Sequence, residues 1–120
     1  MSKKILLVED DEIIAFLHRH FIEKCGYETL ETVDNGEDAI EDVKKFNPDA
    51  VLMDIRINGE MDGIETAHKI RQISEAPIIF LTGNSDENTQ ERAKMPGQIG
   101  YLVKPVRHED LCAALSKVTF

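Results

Sequence analysis

Lys4-Ile5-Leu6-Leu7-Val8-Glu9-Asp10-Asp11 places four apolar residues in a row and then three acids. A short, unbroken apolar run of this kind reads as a strand buried on both faces, as in a parallel sheet covered by helices. The pattern returns in Ala50-Val51-Leu52-Met53, Ile78-Ile79-Phe80-Leu81 and Tyr101-Leu102-Val103. A fifth segment, Thr29-Leu30-Glu31-Thr32-Val33, alternates and is more polar. It is expected at a sheet edge.

Between the runs the apolar period changes to that of a helix. Ile13, Ile14, Leu17, Phe21 and Ile22 share one helical face, and Gly26 supplies a stop. Ala39, Ile40, Val43 and Phe46 repeat the pattern up to Asn47-Pro48. Asp62 is placed to cap a helix carrying Ile64, Ala67, Ile70 and Ile73. Ser85 or Asp86 can cap the next helix, which Pro96-Gly97 stops, and Leu111, Leu115 and Val118 mark a last one. Strand and helix alternate about five times. That order predicts an α/β fold, a doubly wound (βα)5 sandwich with right-handed crossovers.

Residues 1–120 read as one domain, because 120 residues is a usual size for one core. Lys plus Arg number 14 and Asp plus Glu 23, a net charge of −9. An acidic chain without a basic cluster lacks the footprint of a nucleic-acid binder. No apolar run approaches the ~18–20 residues that cross a bilayer. Glu9-Asp10-Asp11-Glu12 interrupts the first apolar stretch, so no signal peptide is expected. Cys25 and Cys112 form no CxxC pair, which suits a reduced, cytoplasmic protein with buried thiols. His18, His20, His68 and His108 are scattered, and no zinc site is expected from them.

The residues that follow each run carry the chemistry. Glu9 and Asp10 follow the first strand, Asp54 the third, Thr82 the fourth and Lys104 the fifth. In an open α/β sheet the ligand crevice lies at the carboxyl ends of the strands. Separate strands thus deliver acids, a hydroxyl and an amine to one edge. Clustered carboxylates repel, and Mg²⁺, a hard cation that prefers oxygen ligands, relieves this. Glu9, Asp10 and Asp54 suit it. A carboxylate can also attack phosphorus and become an aspartyl phosphate. The metal, Lys104, Thr82 and backbone N–H groups near Gly83 could then neutralise the phosphoryl oxygens.

Lys4 to Asp11, Leu52-Met53-Asp54-Ile55, Met61-Asp62-Gly63, Leu81-Thr82 and Gly100-Tyr101-Leu102-Val103-Lys104-Pro105 together resemble the receiver (response-regulator) domain of two-component signalling. The resemblance covers essentially the whole chain, with the motifs in order. It implies a flavodoxin-like fold with strand order 2-1-3-4-5. It implies that Asp54 accepts a phosphoryl group from a histidine kinase or phosphotransfer protein. Glu9, Asp10, Asp54 and the backbone carbonyl of Arg56 would bind Mg²⁺. Lys104 would pair with the phosphoryl oxygens, Thr82 would swing toward them, and Tyr101 would change rotamer with the state of the site. The face of the fourth helix, fifth strand and fifth helix would carry the signal to a downstream protein, or to an output domain absent from this chain. A cis Lys104-Pro105 bond is also implied.

Some positions depart from the family pattern. The loop Ile55 to Gly63 lacks a proline common there and is one residue longer. Gly83 stands where alanine is common, Met95-Pro96-Gly97 shortens the fourth helix, and Val106 replaces a frequent phenylalanine. Arg56 and Asn84 flank the expected water path and would tune dephosphorylation. Other functions fit less well. A haloacid-dehalogenase-like phosphatase needs an acid two residues after its nucleophile, where Arg56 stands. An FMN carrier needs a phosphate cradle, where Glu9-Asp10-Asp11 would repel phosphate. A pseudo-receiver acting only through contacts has no use for the intact acid, hydroxyl and lysine set.

Overall fold

The computed structural model describes residues 3–83 and 87–118. Strands and helices alternate: β1 (Lys4–Val8), α1 (Glu12–Lys24), β2 (Glu28–Thr29), α2 (Gly36–Phe46), β3 (Ala50–Asp54), α3 (Gly63–Arg71), β4 (Ile78–Thr82), α4 (Glu87–Ala93), β5 (Gln98–Val103) and α5 (His108–Ser116). The strands form one parallel sheet in the order β2-β1-β3-β4-β5. This is the flavodoxin-like order that the resemblance implies. The chain steps outward from β1 to β2 and then crosses back to β3. The carboxyl ends of β1 and β3 therefore flank the switch point, where such sheets open a crevice.

Alternation along each strand builds two cores. Ile5, Leu7, Leu52, Ile79 and Leu81 point to the face covered by α1 and α5. Leu6, Val8, Met53, Ile78 and Phe80 point to the face covered by α2, α3 and α4. Every residue of β3 and β4 is buried, which is why these runs are unbroken in sequence. The loops then hold the site at one end of a rigid sheet.

Most helix ends follow the sequence. Asp11 caps α1 by accepting from the N–H of Ile13 and Ile14. Asn47 ends α2 in the left-handed region at φ 47°. Asp62 and Glu65 form a reciprocal capping box at the start of α3. The short α4 ends before Met95-Pro96-Gly97. Ser85 and Asp86, expected as caps, and Asn84 lie outside the described residues.

Four expectations are corrected. β2 is a two-residue ladder, not the five-residue strand read from Thr29 to Val33. Leu30 and Val33 still donate to Ile5 and Leu7 of β1, yet both pack on the same core, so strict alternation is lost. α1 buries Ala15, His18 and Ile22 and leaves Ile13 82% and Leu17 45% exposed. Two small or polar side chains therefore do the packing assigned to larger ones. α3 ends at Arg71, which leaves Ile73 beyond the helix and 46% exposed. Finally, Cys25 and Cys112 are joined in a disulfide, not held as separate thiols. α1 and α5 lie side by side on one face, which brings residues 87 apart in sequence to a Cα separation of 5.6 Å.

His18 carries a testable consequence of that packing. Its side chain is buried, and among the described residues Nδ1 has no hydrogen-bond partner. Burial holds its pKa below the usual histidine value, against the pull of Glu9. The unfolded chain therefore takes up a proton near pH 6.5 that the folded chain resists. Stability is full above that pH and falls as pH drops below it, by at most about 1.4 kcal/mol per pH unit. Urea unfolding between pH 7.5 and 5.5 should show this loss, and His18→Leu should flatten it. An equal slope in the variant would remove His18 as its source.

Candidate functional site

The site is built at the carboxyl edge of the sheet. Glu9 follows β1, Asp54 is the last residue of β3, Thr82 the last of β4, and Lys104 follows β5. Backbone bonds fix these ends relative to one another. Glu9 N donates to Val33 O at 2.9 Å, Ile55 N to Leu81 O at 3.0 Å, and Lys104 N to Thr82 O at 2.7 Å. The Lys104–Pro105 bond is cis, as the resemblance implies.

Lys104 reaches back across the edge. Its Nζ lies 2.8 Å from Glu9 Oε1 and 3.0 Å from Asp54 Oδ2. The Glu9 and Asp54 side chains are 1% and 6% exposed, and that of Lys104 is 18% exposed. Burying charges this way is costly unless they are paired. One ammonium thus serves two carboxylates. Asp54 Oδ1 lies 3.4 Å from the backbone N–H of Arg56, whose side chain is exposed. Glu9 Oε2 accepts from Asp11 N at 3.2 Å.

Asp10 completes the acidic group. Carboxylate oxygens of Glu9, Asp10 and Asp54 lie within 4.8 Å of one another. Burial, then the contact and charge of Asp54, hold the Glu9 carboxyl above its usual pKa, even against Lys104. Asp10, although exposed, is raised too, by partial desolvation at the cluster and then by Glu9. Burial pulls the Lys104 ammonium down, but its bonds to Glu9 and Asp54 outweigh this and hold it above the usual lysine value. The cluster carries more negative charge than its one lysine balances.

Thr82 and Tyr101 lie on the two neighbouring strands β4 and β5. Thr82 is buried at the end of β4. Tyr101, on β5, packs half-buried against the core under α2, α3 and α4. Asp11 acts as the helix cap and does not join the acidic group.

The loop from Ile55 to Asp62 is tied down. Asn58 N donates to Asp34 O at 3.1 Å, and Asn35 and Asn58 form a parallel bridge. Gly63 N donates to Ile55 O at 2.6 Å. Arg92 of α4 pairs with the cap residue Asp62 at 2.7 Å.

Sequence reasoning missed two of these features. The Asp62-x-x-Glu65 pattern of a capping box was readable, but the Arg92 partner was not. The close seat of Gly63 on the Asp54 backbone left no side-chain pattern to read.

Comparison with known proteins gives the family. Residues 5–116 match the family model described as the response regulator receiver domain. The chemotaxis protein CheY of Halobacterium salinarum is 34% identical over 119 residues, which cover 98% of each protein. The transcriptional regulatory protein PdtaR of Mycobacterium tuberculosis is 34% identical over 115 residues, 96% of this chain. This chain spans just over half (56%) of PdtaR. The receiver domain of sensor histidine kinase PA1611 from Pseudomonas aeruginosa has a magnesium ion coordinated in its active site cleft. It superposes with a TM-score of 0.87 at 29% identity, covering 98% of each chain. Among the described residues, no helix is long and apolar enough to cross a membrane. Sheet order, the lysine-bridged acids and these likenesses converge: the chain belongs to the response regulator receiver domain family.

Proposed function

We propose that this chain is a phosphoacceptor, and that Asp54 takes a phosphoryl group from a histidine kinase or phosphotransfer protein. The observation that carries this is the Lys104 ammonium seated between two buried carboxylates at the open edge. Asp54 attacks phosphorus, the phosphorus–nitrogen bond of the donor phosphohistidine breaks, and its electron pair leaves on the imidazole. Lys104 has three N–H donors and turns one of them from a carboxylate to a phosphoryl oxygen. The Thr82 hydroxyl at the end of β4 donates to another. The chain turns over no metabolite. Its chemistry is limited to gaining and losing its own phosphoryl group.

Glu9, Asp10, Asp54 and the backbone carbonyl of Arg56 would hold Mg²⁺. The donors fit, being three carboxylates within 4.8 Å of one another, two of them with raised pKa values. When bound, such a hard cation takes oxygen ligands and offsets charge on the carboxylates and the phosphoryl group.

Phosphorylation adds roughly −1.5 to −2 charge and three acceptor oxygens. These draw Lys104 and Thr82, which are bonded to each other through the backbone. Tyr101 follows, and the face of α4, β5 and α5 passes the change to a downstream protein or output domain. On α1, Ile13, Phe16 and Leu17 are 82%, 71% and 45% exposed, one turn and more from the acidic loop. This apolar patch is where we seat the phosphodonor, and we place the exchange in the cytoplasm.

The test is an intact-mass measurement after incubation with acetyl phosphate and Mg²⁺. One phosphoryl group should be gained, and a chelator should block the gain. No adduct, together with no beryllofluoride complex, would overturn the reading.

Lys104→Ala tests the coupling. Without Lys104, the buried Glu9 and Asp54 carboxylates face each other with no cation, which costs about 3 kcal/mol of stability in chelator. Mg²⁺ should stabilise the variant more than the wild type, by binding the same repelling acids. The variant should stay folded but show none of the wild type's phosphorylation-induced shifts in NMR spectra. Unchanged shifts would refute the role given to Lys104.

A further inference from the structure

A second group of metal-ligating atoms lies away from the acids. Cys25 is the C-cap of α1, and His108 and Cys112 stand four apart on α5, on one side of that helix. His108 Nε2 is 3.7 Å from Cys25 Sγ and 3.3 Å from Cys112 Sγ. The His108 ring also packs on Phe21 of α1, with centroids 5.5 Å apart, which holds it beside the sulfurs. A disulfide alone needs no imidazole nitrogen directed at both of its sulfurs. A tetrahedral zinc-type centre does, because metal–sulfur and metal–nitrogen bonds of about 2.3 and 2.0–2.1 Å set its sulfur–nitrogen edges near 3.5 Å.

We propose that Cys25, Cys112 and His108, once the disulfide is reduced, form a three-ligand site for a soft divalent cation of the zinc class. A dithiol reductant opens the Cys25–Cys112 bond and is itself oxidised to a disulfide, leaving two thiols. Metal binding then displaces both thiol protons, and His108 ligates through the Nε2 lone pair with its remaining proton on Nδ1. The two sulfurs part to about 3.8 Å, the edge between two thiolates on such a metal. Side-chain rotation can supply this at the observed Cα separation of 5.6 Å. The fourth position is left to water or another ligand. Metal and disulfide are thus alternative staples between the same two helices, so α1 stays tied to α5 in both redox states.

Co²⁺ is the probe. The full chain is reduced under anaerobic conditions, its two thiols are confirmed by titration, and its fold is checked by far-UV circular dichroism. Co²⁺ should then give a thiolate-to-metal charge-transfer band and the visible bands of a tetrahedral centre. Zn²⁺ should bleach both at one equivalent. Co²⁺ held by Glu9, Asp10 and Asp54 gives no thiolate band, so the two sites are told apart. His108→Gln should weaken cobalt binding by at least about tenfold, the loss typical even of a partner outside the ligand set, and Cys25→Ser should remove the charge-transfer band. The proposal falls if the reduced, folded wild type shows no thiolate band up to millimolar Co²⁺. It falls equally if His108→Gln leaves the affinity unchanged.

Discussion

Asp54→Asn should end phosphoryl uptake: acetyl phosphate and Mg²⁺ that convert the wild type will leave the variant's intact mass unchanged. The amide oxygen is a far weaker nucleophile than the carboxylate, and no neighbouring acid is placed to substitute for it. Glu9 is buried with both oxygens engaged, one by Lys104 Nζ and the other by Asp11 N. Asp10 is exposed and lacks the direct tie to Lys104 that Asp54 has.

The loss should come without unfolding. Asn matches Asp in shape, and Lys104 keeps its bond to Glu9. Asp54 is also among the causes that raise the Glu9 pKa, after burial. A carboxyl whose folded pKa lies above its unfolded value weakens the fold at neutral pH, where the unfolded chain holds it ionised at less cost. Removing the Asp54 charge relieves part of that, and the lost ion pair works the other way. Urea unfolding at pH 7 should place the variant within about 1 kcal/mol of wild type. A phosphoryl adduct on folded Asp54→Asn would mean that another side chain is the acceptor.

How much of this was readable from sequence depends on which force left its mark there. Strands buried on both faces must be apolar at every position, so β1, β3 and β4 were legible as runs. Glu9, Asp54 and Thr82 were legible because each ends or follows such a run. Amphipathic period is less informative, because it reports apolar side chains and not what they touch. In α1 it pointed to Ile13 and Leu17, while the sheet takes Ala15, His18 and Ile22. The surplus apolar residues form an exposed patch beside the site, which periodicity does not distinguish from core. Contacts between distant segments were less legible still. Cys25 and Cys112 meet only because α1 and α5 share a face of the sheet. The sharing of Lys104 between Glu9 and Asp54 depends on β5 lying two strands from β3, with β4 between them.

Gly63→Ala should be the most damaging single-methyl change near the site. A β-carbon there would overlap the Asp54 carbonyl oxygen and come within 2.8 Å of Ile55 Cα. Both are backbone atoms, so no side chain can turn aside. The reason for glycine here is therefore close approach. The first residue of α3 sits on the end of β3, and its N–H bonds Ile55 O at 2.6 Å. The α3 end cannot simply retreat, because Asp62 is held by Glu65 in the capping box and by Arg92 from α4. The β3 end is held in turn by Ile55 N on Leu81 O. Overpacking of this kind costs about 1–3 kcal/mol, and rigid partners on both sides place this case near 3 kcal/mol. Alanine's better helix propensity returns at most about 1 kcal/mol of that. The relief that remains is movement of the Asp54 backbone, and a misplacement of about 1 Å can slow a reaction roughly a hundredfold. Gly63→Ala should thus lower stability in urea by about 2–3 kcal/mol. It should also slow phosphoryl uptake by about two orders of magnitude at temperatures where it stays folded. Gly83→Ala is the control. It lies just past β4 at the same edge, and among the described residues a β-carbon there meets nothing within 4 Å. It should leave stability nearly unchanged. If Gly63→Ala behaves like Gly83→Ala in both measurements, the seat of α3 on Asp54 is not what positions the acceptor.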